Sequence, residues 1–200
     1  NQHAGYFPGA QPVHILMHVG TDGQILGAQA VGAEGVDRRI DVIATAMRAR
    51  LAAPDLMDLD LAYAPPYGQA KDPVNQTGMV AHNVLTGQLA LTGPNELTED
   101  MPVLDVRTPA EYAQGHMPNS LNIPHTQLRE RLGEVQAWVD EEIGDRPFVV
   151  MCAAGVRSWI GYRIVRAAGF NVTMLSGGIQ TLRAWLGERA ETVLAAEGDR

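Results

Sequence analysis

The sequence is poor in cysteine, with a single residue of this type, Cys152, among 200. A disulfide within the chain is therefore excluded, and so is a zinc site built from several cysteines. Basic residues are outnumbered, with 15 Lys and Arg against 23 Asp and Glu and a net charge of −8. Because non-specific binding of nucleic acid needs a basic face, we predict no nucleic-acid partner.

Long apolar runs are also missing. The clearest ones, at 13–19 and 148–156, fall far short of the ~20 residues that span a bilayer. The first residues show no basic stretch followed by an apolar signal core. We therefore predict no membrane partner and a cytoplasmic location. His14 and His18 share a strand face without a third ligand, so we predict no metal site.

Apolar residues make up 46 % of the chain, enough for a buried core. At roughly 150 residues per domain, the length allows one large domain or two small ones. In the first half, apolar and polar residues alternate over 12–33 around a Thr-Asp-Gly turn, which predicts an antiparallel hairpin. One amphipathic helix follows, with Asp37 as its N-cap or first-turn acid, and Asp72-Pro73 begins another. This half is predicted to be α+β.

The second half alternates short apolar strands with helices, which predicts an α/β domain with a mostly parallel sheet. The predicted strands are 103–106, 121–124, 147–151 and 172–175. The predicted helices are 109–114, 125–132, 134–142, 158–168 and 178–186, followed by a charged tail to Glu197. We place the domain boundary within 86–93, which defines domains at 1–87 and 88–200.

Cys152 follows the predicted strand 147–151 and begins a short loop that leads into a helix. The rest of this loop is Ala153, Ala154, Gly155, Val156, Arg157 and Ser158. A nucleophile here lies at the C-terminal edge of the sheet, where open α/β sheets bind their ligands. The N–H groups of the loop and the N-terminus of the helix favour a thiolate over a thiol.

Three residues of the loop strengthen this hypothesis. Gly155 permits a backbone conformation that folds the loop over the sulfur, and Arg157 offers a permanent cation to an anionic substrate. Ser158 is expected to cap the helix and is a further donor to the sulfur or the substrate. A lone cysteine at a strand end can equally be a core residue, but the C-x4-R spacing around a glycine favours a reactive thiol.

The second half resembles the rhodanese family of sulfurtransferases over roughly residues 88–190. The motifs that carry the resemblance are D-V-R-T-P-A-E-Y at 105–112, G-H-M-P at 115–118, L-N-I-P at 121–124 and L-S-G-G at 175–178 with Trp185. The resemblance implies that Cys152 carries a sulfane sulfur as a persulfide. It also implies that the loop amides bind this group, that Arg157 orients an anionic donor such as thiosulfate, and that the partners are a small sulfur donor and a thiol acceptor.

Two alternatives stay open at this point. Phosphatases and arsenate reductases on a related fold use a C-x5-R loop, and this chain has C-x4-R, which suits an additional sulfur atom better than a tetrahedral oxyanion. The second alternative is a non-catalytic dimerisation and docking module, against which the combination of Cys152, Gly155 and Arg157 argues.

Four polar residues near the first motif are interpreted as structural rather than catalytic. Arg107 and Glu111 have the spacing of a local ion pair at a helix start, and Glu111 also completes a capping box. Asp105, at a strand end, is expected to bind backbone N–H groups of a neighbouring loop. No histidine base, such as His116, is needed if the cysteine is already a thiolate.

The first half, over about residues 5–86, resembles the dimerisation domain of pyridine nucleotide-disulfide oxidoreductases, and most of all that of coenzyme A-disulfide reductases. The segments that carry the resemblance are G-Y-F-P-G-A at 5–10, I-L-G-A-Q at 25–29, G-V-D-R-R-I-D-V-I-A at 35–44 and L-A-Y-A-P-P-Y at 61–67. The resemblance implies a homodimer in which Tyr63 and Tyr67 extend towards the active site of the partner. Packing of their proline-rich loop is an equal alternative.

The two resemblances together imply a longer protein of which this chain is the C-terminal part. No cofactor is expected in the 200 residues themselves, because no G-x-G-x-x-G follows a strand. FAD, NAD(P)H and coenzyme A are the cofactors and ligands implied for the longer protein, a CoA-disulfide or polysulfide reductase to which the second half would deliver sulfur.

Overall fold

The computed structural model describes residues 1–194 and divides the chain into two compact units, Asn1–Leu89 and Ala90–Arg200. The predicted tail to Glu197 extends outside the described residues. Each unit is described by itself below. In the described residues, no helix is long and apolar enough to cross a membrane.

The first unit is an antiparallel hairpin packed against helices, as the sequence predicts. Strands β1 (Val13–Val19) and β2 (Ile25–Gly32) pair in antiparallel register. The hairpin is followed by helix α1 (Val36–Arg48), a 3-10 helix (Ala53–Asp58) and helix α2 (Pro73–Leu85). The apolar faces of these elements form one core, with Ile25, Ile43, Ala46, Ala53, Leu56, Val74 and Ala81 buried in it.

The two helices begin differently. Asp72 caps α2, because its carboxylate accepts a hydrogen bond of 3.0 Å from the backbone N–H of Val74. The N-cap of α1 is Gly35, with a φ of 69°, so Asp37 lies in the first turn and the alternative of an Asp37 cap is wrong. The aspartate still favours the helix there, since its charge faces the positive end of the helix dipole.

The second unit is an α/β domain around one parallel sheet, which confirms the predicted fold class. Its strands are β3 (Leu91–Thr92), β4 (Val103–Asp105), β5 (Ser120–Asn122), β6 (Phe148–Met151) and β7 (Val172–Leu175). Their order in the sheet is β3-β7-β6-β4-β5, with every neighbouring pair parallel. All four residues of β6 are buried, as expected for a strand at the centre of a covered sheet.

The helices of this unit are α3 (Pro109–Ala113), α4 (Leu132–Trp138), α5 (Val156–Ala167), α6 (Gly178–Leu186) and α7 (Ala190–Val193). The helix predicted at 125–132 is wrong. The N–H of Gln127 bonds to Pro124 O at 2.8 Å and that of Glu130 to Gln127 O at 3.1 Å, so this segment forms three-residue turns. The helix predicted at 134–142 begins at Leu132 and passes into a π-helical turn (Val139–Ile143).

Helix α5 lies close to the sheet because it carries a glycine on its inner face. A Cβ placed on Gly161 would come within 3.1 Å of Val106 Cγ1 and 3.3 Å of Val150 Cγ1. The helix begins at Val156, two residues before the predicted start at 158, because the N–H of Trp159 already bonds to Gly155 O at 2.8 Å. The start of α5 is thereby held directly behind the loop that follows β6.

Candidate functional site

The candidate site lies where β6 ends, at the centre of the parallel sheet. Cys152 is the first residue after β6, and helix α5 begins four residues later. Asp105, the last residue of β4, is in register with Met151, the last residue of β6. Segments that follow these two neighbouring strands therefore meet at the same edge of the sheet, where ligands of such folds bind.

The sulfur of Cys152 is enclosed by its own loop. The backbone N–H of Gly155 donates to Sγ at 3.1 Å, and Sγ lies 3.4 Å from the hydroxyl of Ser158. Cys152 is only 1 % exposed. Gly155 has a φ of 123°, a conformation that side-chain-bearing residues rarely adopt, and this turns its N–H towards the sulfur. The predicted role of Gly155 in folding the loop is consistent with this geometry.

Ser158 contacts the sulfur, but it does not cap the helix. The N-cap of α5 is Gly155, and Ser158 lies one turn into the helix. Its hydroxyl donates to Gly155 O at 2.8 Å, so towards Cys152 it acts as an acceptor from the thiol. The expected capping by Ser158 is therefore wrong. Rotation of the hydroxyl would allow it to donate to a sulfur anion instead.

The N-terminus of helix α6 holds the first residues of the loop from the other side. The N–H of Ile179 donates to Cys152 O at 2.9 Å, and that of Gln180 donates to Ala153 O at 3.1 Å. A Cβ on Gly178 would lie 2.6 Å from Cys152 O, so only glycine permits this approach. The sequence shows the Gly-Gly pair, but the contact with the loop could not be derived from it.

Arg157 is bound by Glu111 at the outer side of the loop. Two of its guanidinium N–H groups each donate to one carboxylate oxygen at 2.7 Å. The ion pair with Arg157 holds the pKa of Glu111 at about 2, and it raises the pKa of Arg157 above its ordinary value. Glu111 also closes the predicted capping box, because the backbone N–H and the hydroxyl of Thr108 donate to it at 3.1 and 2.9 Å.

The predicted ion pair between Arg107 and Glu111 is wrong. Arg107 instead binds Asp105, with its Nη2 at 2.6 Å from the carboxylate, and donates to the carbonyl oxygens of Glu111 and Gly115. Arg107 is 4 % exposed and Asp105 is fully buried. Arg107 could not remain buried without an ionised partner, and Asp105 supplies one two residues away. Asp105 also accepts from the backbone N–H of Arg107 at 3.0 Å, in line with its expected structural role.

His116 has a packing role in the structure. Its ring stacks on Tyr112 at a centroid distance of 3.8 Å, and its Nδ1 lies 3.1 Å from Tyr112 O. Of the other residues in the predicted loop, Ala153 is half-buried, and Ala154 and Val156 are exposed. Residues 152–155 form the loop beside the thiol, whereas Val156, Arg157 and Ser158 of the predicted loop lie in the first turn of helix α5.

Tyr63 and Tyr67 belong to the first unit and are both exposed. The hydroxyl of Tyr63 lies 3.1 Å from that of Tyr6, and this hydrogen bond raises the pKa of Tyr63. The carbonyl of Tyr67 accepts from Arg38 at 2.6 Å. Within the described part of the chain, no group of three or more His, Cys, Asp or Glu side chains could hold a metal ion.

The buried thiol after the central strand, in a C-x4-R segment between two helix N-termini, lies in the part of the chain that matches a rhodanese-like domain. Residues 93–184 match the family model of that name, "Rhodanese-like domain". The chain therefore contains a rhodanese-like domain, as the motifs predicted.

The relatives connect this domain with a class of reductases. Over 80 residues the chain is 48 % identical to the coenzyme A disulfide reductase of Staphylococcus aureus strain bovine RF122 / ET3-1, covering 40 % of this chain and 18 % of the relative. It is also similar to the crystal structure of reduced Bacillus anthracis CoADR-RHD, with a TM-score of 0.83 and 40 % identity. A third relative is a NAD-dependent persulfide reductase from A. fulgidus, with a TM-score of 0.78 and 38 % identity.

The two solved structures match nearly all of this chain. The match covers 94 % of this chain and 34 % of the B. anthracis chain, and 89 % of this chain and 32 % of the A. fulgidus chain. The chain thus spans about a third of these relatives. Its predicted kinship with coenzyme A-disulfide reductases that carry a rhodanese domain is confirmed.

Proposed function

We propose that the second unit is a sulfurtransferase that carries a sulfane sulfur as a persulfide on Cys152. The observation that carries the proposal is the enclosure of the sulfur, which receives the Gly155 N–H at 3.1 Å at the start of helix α5. Partial positive charge from such N–H groups stabilises a thiolate and equally a persulfide anion. The buried position of Cys152 protects either species from water.

The reaction proceeds in two balanced steps of thiol–disulfide type. The Cys152 thiolate attacks the outer sulfur of a donor, the S–S bond of the donor breaks, and the donor leaves as a thiolate or as sulfite. A thiol acceptor then attacks the outer sulfur of the persulfide, and Cys152 leaves as a thiolate. The loop residues Ala153, Ala154, Gly155, Val156, Arg157 and Ser158 are the proposed substrate-binding residues.

We infer that the first unit serves as a dimerisation domain, with the domains at 1–87 and 88–200, and that Tyr63 and Tyr67 contribute to the active site of a partner copy. Their exposure supports this inference. The sequence carries no dinucleotide loop of the G-x-G-x-x-G type, so these 200 residues do not fit FAD or NAD(P)H. Those cofactors and coenzyme A would belong to further domains of a reductase that consumes the transferred sulfur.

The test is transfer of sulfur from 2-hydroxyethyl persulfide to cyanide, measured as thiocyanate, with the 200-residue chain and its Cys152→Ser variant. The wild type should turn over, and the variant should reach only the spontaneous rate. Thermal unfolding serves as the control, because a thiol-to-hydroxyl change at one buried atom should leave the fold intact. Equal rates of both proteins with every sulfane donor would overturn the proposal.

A further inference from the structure

The guanidinium of Arg157, which borders the loop, has its charge balanced by Glu111. The two groups share two parallel bonds of 2.7 Å, and their side chains are 26 % and 34 % exposed. The backbone N–H and the hydroxyl of Thr108 both donate to the Glu111 carboxylate and fix it at the start of α3. Such a bidentate pair is the most specific geometry that arginine and carboxylate can form.

The ion pair of Arg157 and Glu111 has no net charge at any pH at which the protein would be assayed. The pKa of Glu111 is about 2, so the carboxylate stays ionised, and Arg157 is always protonated. Arg157 lies in the first turn of helix α5, five residues after Cys152. The second arginine near this edge of the sheet, Arg107, is likewise balanced, by Asp105.

This balance matters most for a donor with two negative charges. A free guanidinium would attract a dianion such as thiosulfate, whereas a neutral ion pair leaves little net attraction. The chain as a whole has a net charge of −8 and repels anions further. A persulfide R–S–SH carries at most one negative charge, so it gains less from a free guanidinium than dianionic thiosulfate does.

We propose that Glu111 is a specificity-determining residue, which balances the charge of Arg157 so that the site takes sulfur from small persulfides in preference to dianionic thiosulfate. The inference rests on the proposed sulfurtransferase function. In the preferred step, R–S–SH and the Cys152 thiolate give R–S⁻ and the Cys152 persulfide, with one S–S bond broken and one formed. In the disfavoured step, thiosulfate and the thiolate give sulfite and the persulfide anion.

The experiment compares 2-hydroxyethyl persulfide with thiosulfate as donors to the wild type and to Glu111→Gln. The amide retains the size of the side chain and removes its charge, so Arg157 regains a net positive charge. The ratio of kcat/KM for thiosulfate to kcat/KM for the persulfide should rise about tenfold, mainly through KM for thiosulfate. The thiosulfate rate of the variant should also fall with added salt, while that of the wild type should stay level or rise, because salt screens the repulsion by the net negative chain.

A matched control is Glu134→Gln, which breaks another bidentate surface pair of this unit. Glu134 binds Arg131 through two bonds of 2.7 Å and lies outside the loop at 152–158. Its donor ratio should equal that of the wild type. The donor ratio of Glu111→Asp, which retains the negative charge, should also stay close to that of the wild type. If Glu111→Gln does not fold, Glu111→Asp is measured in its place.

The outcomes separate the inference from the function on which it rests. An unchanged donor ratio in Glu111→Gln, or an equal fall for both donors, overturns the specificity role and leaves sulfur transfer standing. If Glu111→Gln does not fold, a donor ratio in Glu111→Asp far from that of the wild type, or a wild-type thiosulfate rate that falls steeply with salt, overturns it too. No persulfide on Cys152 of the wild type with either donor overturns the proposed function itself.

Discussion

Two arginine–carboxylate pairs lie near the same edge of the parallel sheet, and they differ in burial. The pair of Arg107 and Asp105 is buried, with 4 % and 0 % of the side chains exposed. The pair of Arg157 and Glu111 is partly exposed, with 26 % and 34 %. Burial decides what each pair can do, since breaking a buried pair leaves an uncompensated charge and breaking an exposed one leaves a hydrated group. The first pair supports the fold behind the site, and the second is available to a substrate.

The largest expected effect is on stability, in Arg107→Ala. The variant leaves the carboxylate of Asp105 buried without its partner and frees the carbonyl oxygens of Glu111 and Gly115. We expect a loss of about 3–5 kcal/mol in the free energy of unfolding, measured by urea denaturation. Arg131→Ala, which breaks an exposed pair, is the control and should cost less than about 1 kcal/mol. Equal losses in the two variants would remove the distinction between buried and exposed pairs.

The second effect concerns the backbone contact beneath the loop, in Gly178→Ala. Its Cβ would lie 2.6 Å from Cys152 O, and its φ of 63° is unfavourable for alanine. We expect a loss of about 1–3 kcal/mol in stability and slower sulfur transfer, because the loop must shift away from α6. Gly133→Ala is a control, since nothing lies within 4 Å of the site of its Cβ. Wild-type rates in Gly178→Ala would show that the position of the loop tolerates this displacement.

The third effect separates stability from activity, in Arg157→Ala. The free energy of unfolding should change by less than about 1 kcal/mol, because Arg157 and Glu111 are both partly hydrated. The rate of sulfur transfer should fall further in Arg157→Ala than in the control Arg131→Ala, because Arg157 lies beside the thiol loop and Arg131 does not. A stability loss as large as that of Arg107→Ala would contradict the proposed division of roles between the two pairs.

The smallest effect is the pH dependence of stability. Because the pKa of Glu111 is lowered from 4.5 to about 2 in the folded protein, its ion pair stabilises the fold at pH values above 4.5 and this stabilisation is lost as the pH falls towards 2. The difference in unfolding free energy between the wild type and Glu111→Gln should therefore shrink on acidification from pH 5 to pH 2. A difference that grew over this range would show that Glu111 is not held as a carboxylate by Arg157.

The sequence predicts the strand, the helix cap and the loop of the site well, because each is specified by residues that are close together in the chain. The buried run at 148–151, the capping box of Thr108 and Glu111, and the loop after Cys152 each lie within a few residues. The partner of Glu111 was mispredicted because Arg107 is four residues away, whereas Arg157 is 46 residues away. The parallel pairing of β4 with β6 brings Glu111 and Arg157 together. A comparison of the residues that follow the ends of these two strands could have predicted their ion pair.

Two further features depended on tertiary structure. The approach of Gly178 to the loop requires that β7 lies beside β6, a pairing that the residues at 175–178 do not specify by themselves. The turns at 125–131 carry helix-forming residues but do not continue as a helix, because Gln127 and Glu130 bond to the third residue before them and a four-residue bond forms at Arg131. In both cases the contacts between elements override the local preference.

The central claim, that Cys152 carries the sulfur, is tested most directly by intact mass spectrometry of the 200-residue chain after one exposure to 2-hydroxyethyl persulfide. We predict a gain of about 32 Da, the mass of one sulfur atom, located on Cys152 and removed by an added thiol. The Cys152→Ser variant should show no gain. A wild-type chain that stays at its original mass, or a gain that the variant shares, would contradict the account.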